Sequence, residues 1–325
     1  MKSIVVTAFA LILSMALPAY AQAPYPDRAI SVVVPYAAGG PIDSIARPVA
    51  DKLGKILGQG VVIVNRPGAS GMIGIGALMH AKPDGYTLAF HAVSTMAIYS
   101  VLNTEKPDPN FPDLAIAAIL ASTPGVLSVA SSLGVNNFRE LVAKIKAEPG
   151  KHAWASPGVG TPSYLWSAQI VHDLGLDIQH VPFVSGAQAH TELIAGRVAW
   201  MFDTPVSSLR SVGMGKSVPV AVLAPTRLPE FPNAPTVGEL GFPKLSNQMM
   251  AVYIIAPAGT PRDILVKLNA AYAKALQDPD LLRRMAAQGL VMPSGKSDVD
   301  GATALAKNDY STWFEVAKAF GVKGQ

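Results

Sequence analysis

The chain has 325 residues, of which 50% are hydrophobic and 15% charged, with a net charge of +4 and no cysteine. This composition builds packed cores and excludes a disordered chain, and a small charge without runs of Lys/Arg argues against a nucleic-acid binder. Without cysteine there is no disulfide and no lipid on an N-terminal thiol, so the cores alone must supply stability.

The first residues read as an export signal. Lys2 is a short positive segment, and Ile4 to Leu17 is an apolar stretch too short to span a bilayer. Pro18 breaks it, and Ala19-Tyr20-Ala21 fits a small-x-small cleavage pattern, so the mature chain is expected to begin at Gln22. An uncleaved anchor helix is the alternative. No later stretch of about 18 apolar residues follows, so a soluble periplasmic protein without a lipid anchor is expected.

The mature length suits two domains of ordinary size. Ile30 to Val34 is a β-branched run of the kind buried on both faces of a parallel sheet. After Gly39-Gly40-Pro41, apolar residues at Ile42, Ile45, Ala46, Val49, Leu53, Ile56 and Leu57 have helical spacing, with Gly58 as a stop. Val61 to Val64 predicts a second strand. A tight loop from Asn65 to Gly71 and a short helix to about His80 follow, and Thr87 to Phe90 predicts a third strand. This is βαβαβ, one doubly wound half.

The middle repeats the grammar. Ala115 to Leu120 and Val126 to Ala130 predict strands flanking a crossover between domains. Asn137 and Glu140 have capping-box spacing before a helix that stops at Pro149. A strand from His152 to Ala155, a Gly/Pro-rich loop from Ser156 to Ser163 and a helix to about Leu174 come next. Ile178 to Val181, a helix ending near Gly196, Val198 to Phe202 and Val218 to Leu223 continue the alternation. The stretch holding Pro225, Pro229, Pro232 and Pro235 reads as surface wrapping. Met249 to Ala256 predicts the strand that returns the chain to the first domain. Thr260-Pro261 reads as an N-cap and first helical proline, and two further helical segments finish the chain.

Two loops share one physical character. Ala37 to Ile42 and Ser156 to Ser163 each follow a strand and open a helix, and each is rich in small residues that let a ligand approach the backbone. Helix N-termini favour anions, and open α/β sheets bind ligands beyond the carboxyl ends of their strands. The bland alternative is a pair of ordinary βα turns. Enzyme signatures are missing. Gly68 to Gly71 lacks the nucleophile-elbow spacing because position 72 is Met, and neither a Walker nor a dinucleotide pattern occurs. The six histidines are scattered; His172, His180 and His190 lack metal-ligand spacing and read as surface or packing residues. Asp43 and Asp203, at or near strand ends, have the bland reading of caps or loop braces. Neither catalysis nor a cofactor nor a metal is expected.

The stretch from Tyr25 to Thr87 carries VVPYAAGG at Val33, NRPGASG at Asn65 and PDGYT at Pro83. Further along stand SPGVGT at Ser156, HVPF at His180, L-x-AG-x-V…MFD from Leu193 to Asp203, APTVGELGFP at Ala234 and APAGTP at Ala256. Together, over nearly the whole mature chain, these resemble the tripartite tricarboxylate transporter receptors, the Bug family. The resemblance implies a two-domain periplasmic-binding-protein fold of type II, an α/β architecture with a doubly wound sheet in each domain and a two-strand hinge. With the crossovers above, domain 1 is expected over 22–122 plus 252–325 and domain 2 over 123–251. It implies a small carboxylate, di-/tricarboxylate or aromatic, held by main-chain groups, small polar side chains and water. Carried onto this chain, Tyr36, Ala38, Gly39, Pro41 and Asp43 surround the first anchor, with Ser70 from the second loop. Ser156, Gly160, Thr161 and Asp203 come from the second domain, and Phe183 forms an apolar wall.

This chain departs from the pattern at Pro41, where the family often has Thr or Ser. It departs again at His91, which with Ser94 and Thr95 is expected after the third strand, where small polar residues are more usual. His91 is expected either at the ligand or in a loop facing solvent. The expected partners are the carboxylate and integral membrane transporter subunits, with no nucleic acid, for a protein acting as a monomer. A sensor subunit signalling to a membrane kinase and a secreted α/β hydrolase using Ser70 are the alternative functions.

Overall fold

Ile30–Val34 forms strand β1 with its aliphatic residues buried on both faces, as a β-branched run between two helical layers requires. The computed structural model describes residues 25–319, apart from 37, 40, 104–106, 109, 247, 288 and 292–297. The expected signal over residues 1–21 therefore lies outside the described residues. Around β1 the first sheet is built from β2 (Val61–Asn65), β3 (Thr87–Ala92), β4 (Leu114–Thr123) and β10 (Met250–Pro257), in the order β2-β1-β3-β10-β4. β1 runs parallel to β2 and β3, while β10 is antiparallel to β3 and β4.

The second sheet has the order β7-β6-β8-β5-β9, from β5 (Gly125–Ala130), β6 (Ala153–Ser156), β7 (Gln179–Pro182), β8 (Trp200–Asp203) and β9 (Ser217–Leu223). Again three strands are parallel, and β5 is antiparallel to β8 and β9. The chain passes from the first sheet to the second between Thr123 and Gly125 and returns through Met250.

Helices cover both faces of each sheet. On the first sheet, α1 (Pro41–Leu57) and α9 (Arg262–Ala275) pack Ile42, Ile45, Val49, Leu53, Leu268 and Tyr272 against Val32, Val34, Phe90 and Ile254. Each such aliphatic side chain contributes about 1.5–3 kcal/mol on burial. The opposite face lies under α2 (Met72–Met79), α3 (Val93–Asn103) and α11 (Val299–Ala319). On the second sheet, α5 (Pro162–Asp173) covers one face, with α4 (Phe138–Ala147) in the same apolar cluster. The other face holds α6 (Gly186–Ile194). Helices α7 (Pro205–Gly213), α8 (Pro243–Ser246) and α10 (Pro279–Ala287) complete the set. One apolar cluster includes residues of both sheets, with Trp166 of α5 and Trp313 of α11 at 6.0 Å between ring centroids.

Several expectations need correction. The third strand does not end at Phe90: antiparallel pairing with distant β10, which sets Tyr253 opposite His91, carries it to Ala92. His91 is accordingly a fully buried strand residue rather than a loop residue facing solvent, and Ser94 and Thr95 lie in the first turn of α3. Ser156 likewise closes β6 instead of opening the loop. Thr260 is not an N-cap: its hydroxyl donates to the Pro257 carbonyl at 2.7 Å, and Pro261 takes the cap position. The Pro-rich stretch does wrap the second sheet, burying Leu228, Phe231 and Ala234 against Val126 and Val222. Asn137 caps α4 as expected, accepting from the Glu140 amide at 2.9 Å, while the Glu140 carboxylate accepts from the Asn136 amide at 2.7 Å, one residue before the cap.

Candidate functional site

At the carboxyl end of β1 the chain turns into α1 through Tyr36, Ala38 and Gly39. Ala37 and Gly40 of this loop lie outside the described residues, as do the side chains of Pro41 and Ser70. Asp43 sits in the first turn of α1, buried, with both carboxylate oxygens occupied. Oδ2 accepts from the Gly39 amide at 2.8 Å and from Arg47 Nε at 2.8 Å. Oδ1 accepts from Arg47 Nη2 at 3.0 Å and Asn65 Nδ2 at 2.9 Å. Burial alone would raise this carboxyl; the Arg47 pair, the Gly39 amide and Asn65 outweigh it and hold it below the usual carboxylate range. Asn65 also donates to the Tyr36 carbonyl at 3.1 Å. Asp43 is thus the brace of the first loop, and the charge of Arg47 is already answered.

Tyr36, His91 and Thr95 meet at the carboxyl ends of β1 and β3. The Tyr36 hydroxyl lies 3.0 Å from His91 Nδ1, and the rings are tilted with centroids 5.5 Å apart. Burial pushes the Tyr36 hydroxyl up to about 12, opposed by donors from Thr95 and the Ala92 amide. Burial also pushes His91 down to about 3, so its imidazole is neutral at ordinary pH. Gly71 closes over this ring: a Cβ there would stand 2.7 Å from His91 Cε1, so the Ser70-Gly71 loop reaches the cluster only because the position has no side chain. Ser94, buried in the first turn of α3, completes this end of the sheet.

The second sheet offers a parallel arrangement. Ser156, fully buried at the end of β6, accepts at Oγ from the Gly158 amide at 3.2 Å and lies 2.8 Å from His180 Nε2. His180 packs against Trp154, with centroids 4.1 Å apart, and meets Tyr164 edge-on at 4.8 Å. Burial pushes it down to about 4, so it too is neutral. Thr161 caps α5 by accepting from the Tyr164 amide at 3.4 Å and donates to the Gly158 carbonyl at 2.8 Å. Gly160 beside it is buried. Phe183 is half-buried against Ala189 and Leu193. Asp203, at the end of β8, accepts from the Thr204 amide at 2.7 Å and pairs closely with His190 Nδ1.

The predicted residues therefore gather into two groups, one at each sheet. Tyr36, Gly39, Asp43, His91 and Thr95 share the first; Ser156, Gly160, Thr161 and Asp203 share the second. Helix α3, which carries Ser94 and Thr95, packs against α5, which follows Thr161. Sequence reasoning missed His180 and His190 as partners of Ser156 and Asp203. In sequence these residues stand 24 and 13 positions from their partners, and only strand pairing brings them together. With both cluster histidines neutral and Arg47 paired, an anion placed here meets helix N-termini, amides and hydroxyls.

Two mixed α/β sheets, each wrapped by helices and joined through β4–β5 and β9–β10, with site loops at the carboxyl strand ends, define a periplasmic-type solute-binding protein. The family model described as the tripartite tricarboxylate transporter family receptor matches residues 45–321. The chain belongs to this family. The Bug protein BugT of Bordetella pertussis is 31% identical over 301 residues, covering 92% of this chain and 91% of that one. MatC of Rhodopseudomonas palustris with bound malate superposes with a TM-score of 0.80 at 29% identity, covering 90% of this chain and 100% of that one. A second R. palustris protein, solved with adipate, has a TM-score of 0.82 at 28% identity, covering 93% and 100%. Both family and fold are those of receptors that bind solutes. Among the described residues no helix is long and apolar enough to cross a membrane.

Proposed function

We propose that the chain is an extracytoplasmic receptor that captures a small carboxylate between two lobes, 22–122 with 252–325 and 123–251, and delivers it to membrane transporter subunits. It acts as a monomer in the periplasm after removal of residues 1–21. One observation carries the reading. The loops after β1 and β6 present helix N-termini and small polar groups, while the nearby cation Arg47 is committed to Asp43. The malate and adipate held by the two relatives supply the ligand class.

In this reading Tyr36, Ala38, Gly39 and Pro41, with Ser70, surround one ligand carboxylate; the Ala38 amide and the Ser70 hydroxyl are its donors, and Asp43 holds the loop through the Gly39 amide. Ser156, Gly160, Thr161, Asp203 and Phe183 close on the far end. Calorimetry with an acid, its neutral amide and its methyl ester, each at two salt concentrations, tests it. The acid is expected to bind at least tenfold tighter, about 1.4 kcal/mol, because an amide N–H would face another N–H. Equal affinity for acid and amide rejects the carboxylate, and a steep salt dependence points to a cationic clamp instead.

A further inference from the structure

His91 Nε2 and Ser94 Oγ are both buried, and among the described residues neither has a hydrogen-bond partner. Buried polar atoms are nearly always satisfied, so two orphans next to loops already read as ligand-binding require an explanation. Their setting gives one. The Tyr36 hydroxyl lies 3.0 Å from His91 Nδ1, and a phenol is a stronger donor than a neutral imidazole N–H while an imidazole nitrogen is the stronger acceptor, so the Tyr36 proton goes to Nδ1. With Nδ1 accepting, the neutral imidazole carries its hydrogen on Nε2. The ring is fully buried in β3 and held at Nδ1 by Tyr36. His91 thus holds an uncharged donor, and Ser94, three residues on in the first turn of α3, adds a hydroxyl that either donates or accepts.

We propose that His91 Nε2–H, with Ser94 Oγ, reads an uncharged oxygen on the bound acid, so that the site takes a hydroxy- or oxo-substituted acid in preference to the plain one. This rests on the carboxylate reading above and names the ligand class within it. A second carboxylate is a poorer occupant, because Arg47 is spent on Asp43 and an unbalanced charge costs more to bury than an unpaired dipole. A hydroxyl or oxo oxygen accepts from Nε2–H; a hydroxyl also donates to Ser94 Oγ, and an oxo group accepts from it.

The test is calorimetry on matched pairs with the full mature protein: malate against succinate, pyruvate against propionate, and mandelate against phenylacetate. Within any pair that binds, the substituted acid is expected to bind at least tenfold tighter. His91→Phe should erase that preference while the plain acid keeps its affinity within about threefold, since only the hydrogen bond is lost. Should that variant fail to fold, nitrogen NMR of the wild-type imidazole decides. Nε2 must carry the proton in the free protein and shift on adding the substituted acid, but not the plain one. Tyr36→Phe, which frees Nδ1, should mix the tautomers, read directly in the imidazole nitrogen shifts of the free protein. Equal affinity within every pair, or a preference that survives His91→Phe, overturns the assignment while the carboxylate reading stands. If no acid in the set binds more tightly than its amide, the carboxylate reading falls and this inference with it.

Discussion

The Gly39 amide donates to Asp43 Oδ2 at 2.8 Å, so the loop after β1 is tied to the first turn of the helix it opens. The same oxygen holds Arg47 Nε and the other oxygen holds Asn65, so one carboxylate fixes loop, helix and the end of β2 at once.

Asp43→Asn should therefore loosen both fold and site. Replacing the ionised acceptor costs about 1.5–3 kcal/mol, the range for hydrogen bonds to charged groups. Because the folded carboxyl is held below its ordinary value, its contribution is present above about pH 4 and is lost as pH falls through the folded value. Urea unfolding across pH should show wild type losing stability on the acid side of that point, with a flatter limb for the variant. Parallel curves would rule out Asp43 as the source.

Asp309 behaves in the opposite sense. It lies on α11 and accepts the Tyr253 hydroxyl from β10. Burial raises its carboxyl to about 6, with the Tyr253 hydrogen bond opposing. A raised folded value means that protonation favours the fold, so its penalty is relieved as pH falls from about 6 towards 4. Asp309→Asn should stabilise the protein at neutral pH by about 1–2 kcal/mol, discounted for partial exposure, and give no gain near pH 4. Thermal melts at the two pH values check this, and an equal effect at both would refute it.

Gly71 and Gly39 separate crowding from backbone strain. Both have positive φ, 90° and 76°. A Cβ at Gly71 meets His91 and Pro35 at 2.7 and 3.1 Å, whereas one at Gly39 meets nothing within 4 Å. Gly39→Ala should cost about 1 kcal/mol from strain alone, and Gly71→Ala about 1–3 kcal/mol more from overpacking. Chemical denaturation of the two variants ranks them, and equal losses would show that the ring yields freely.

His190→Leu leaves Asp203 buried with, among the described residues, the Thr204 amide as its partner. An unpaired carboxylate beside the second loop should repel an acid, lowering acid affinity about tenfold while affinity for the amide holds. His190→Leu with Asp203→Asn should recover acid binding. Calorimetry on the single and double variants measures the coupling, and independent effects would place Asp203 away from the ligand.

The sequence by itself determined the alternation of strands and helices, because β-branched runs such as Ile30–Val34 and apolar residues at helical spacing in α1 are local patterns. It also determined the two small-residue loops, and the order of motifs carried the family. Only the tertiary structure decided where β3 ends, since the hydrogen bonds that hold His91 in a strand come from β10, more than 150 residues away. It alone turned His91 from a loop histidine into a buried neutral ring, paired His180 with Ser156 and His190 with Asp203, and committed Arg47 to Asp43. The physical reason is that periodicity records which side of an element meets the core. A hydrogen-bond partner, and with it protonation and availability to a ligand, depends on what another strand or helix brings across the gap.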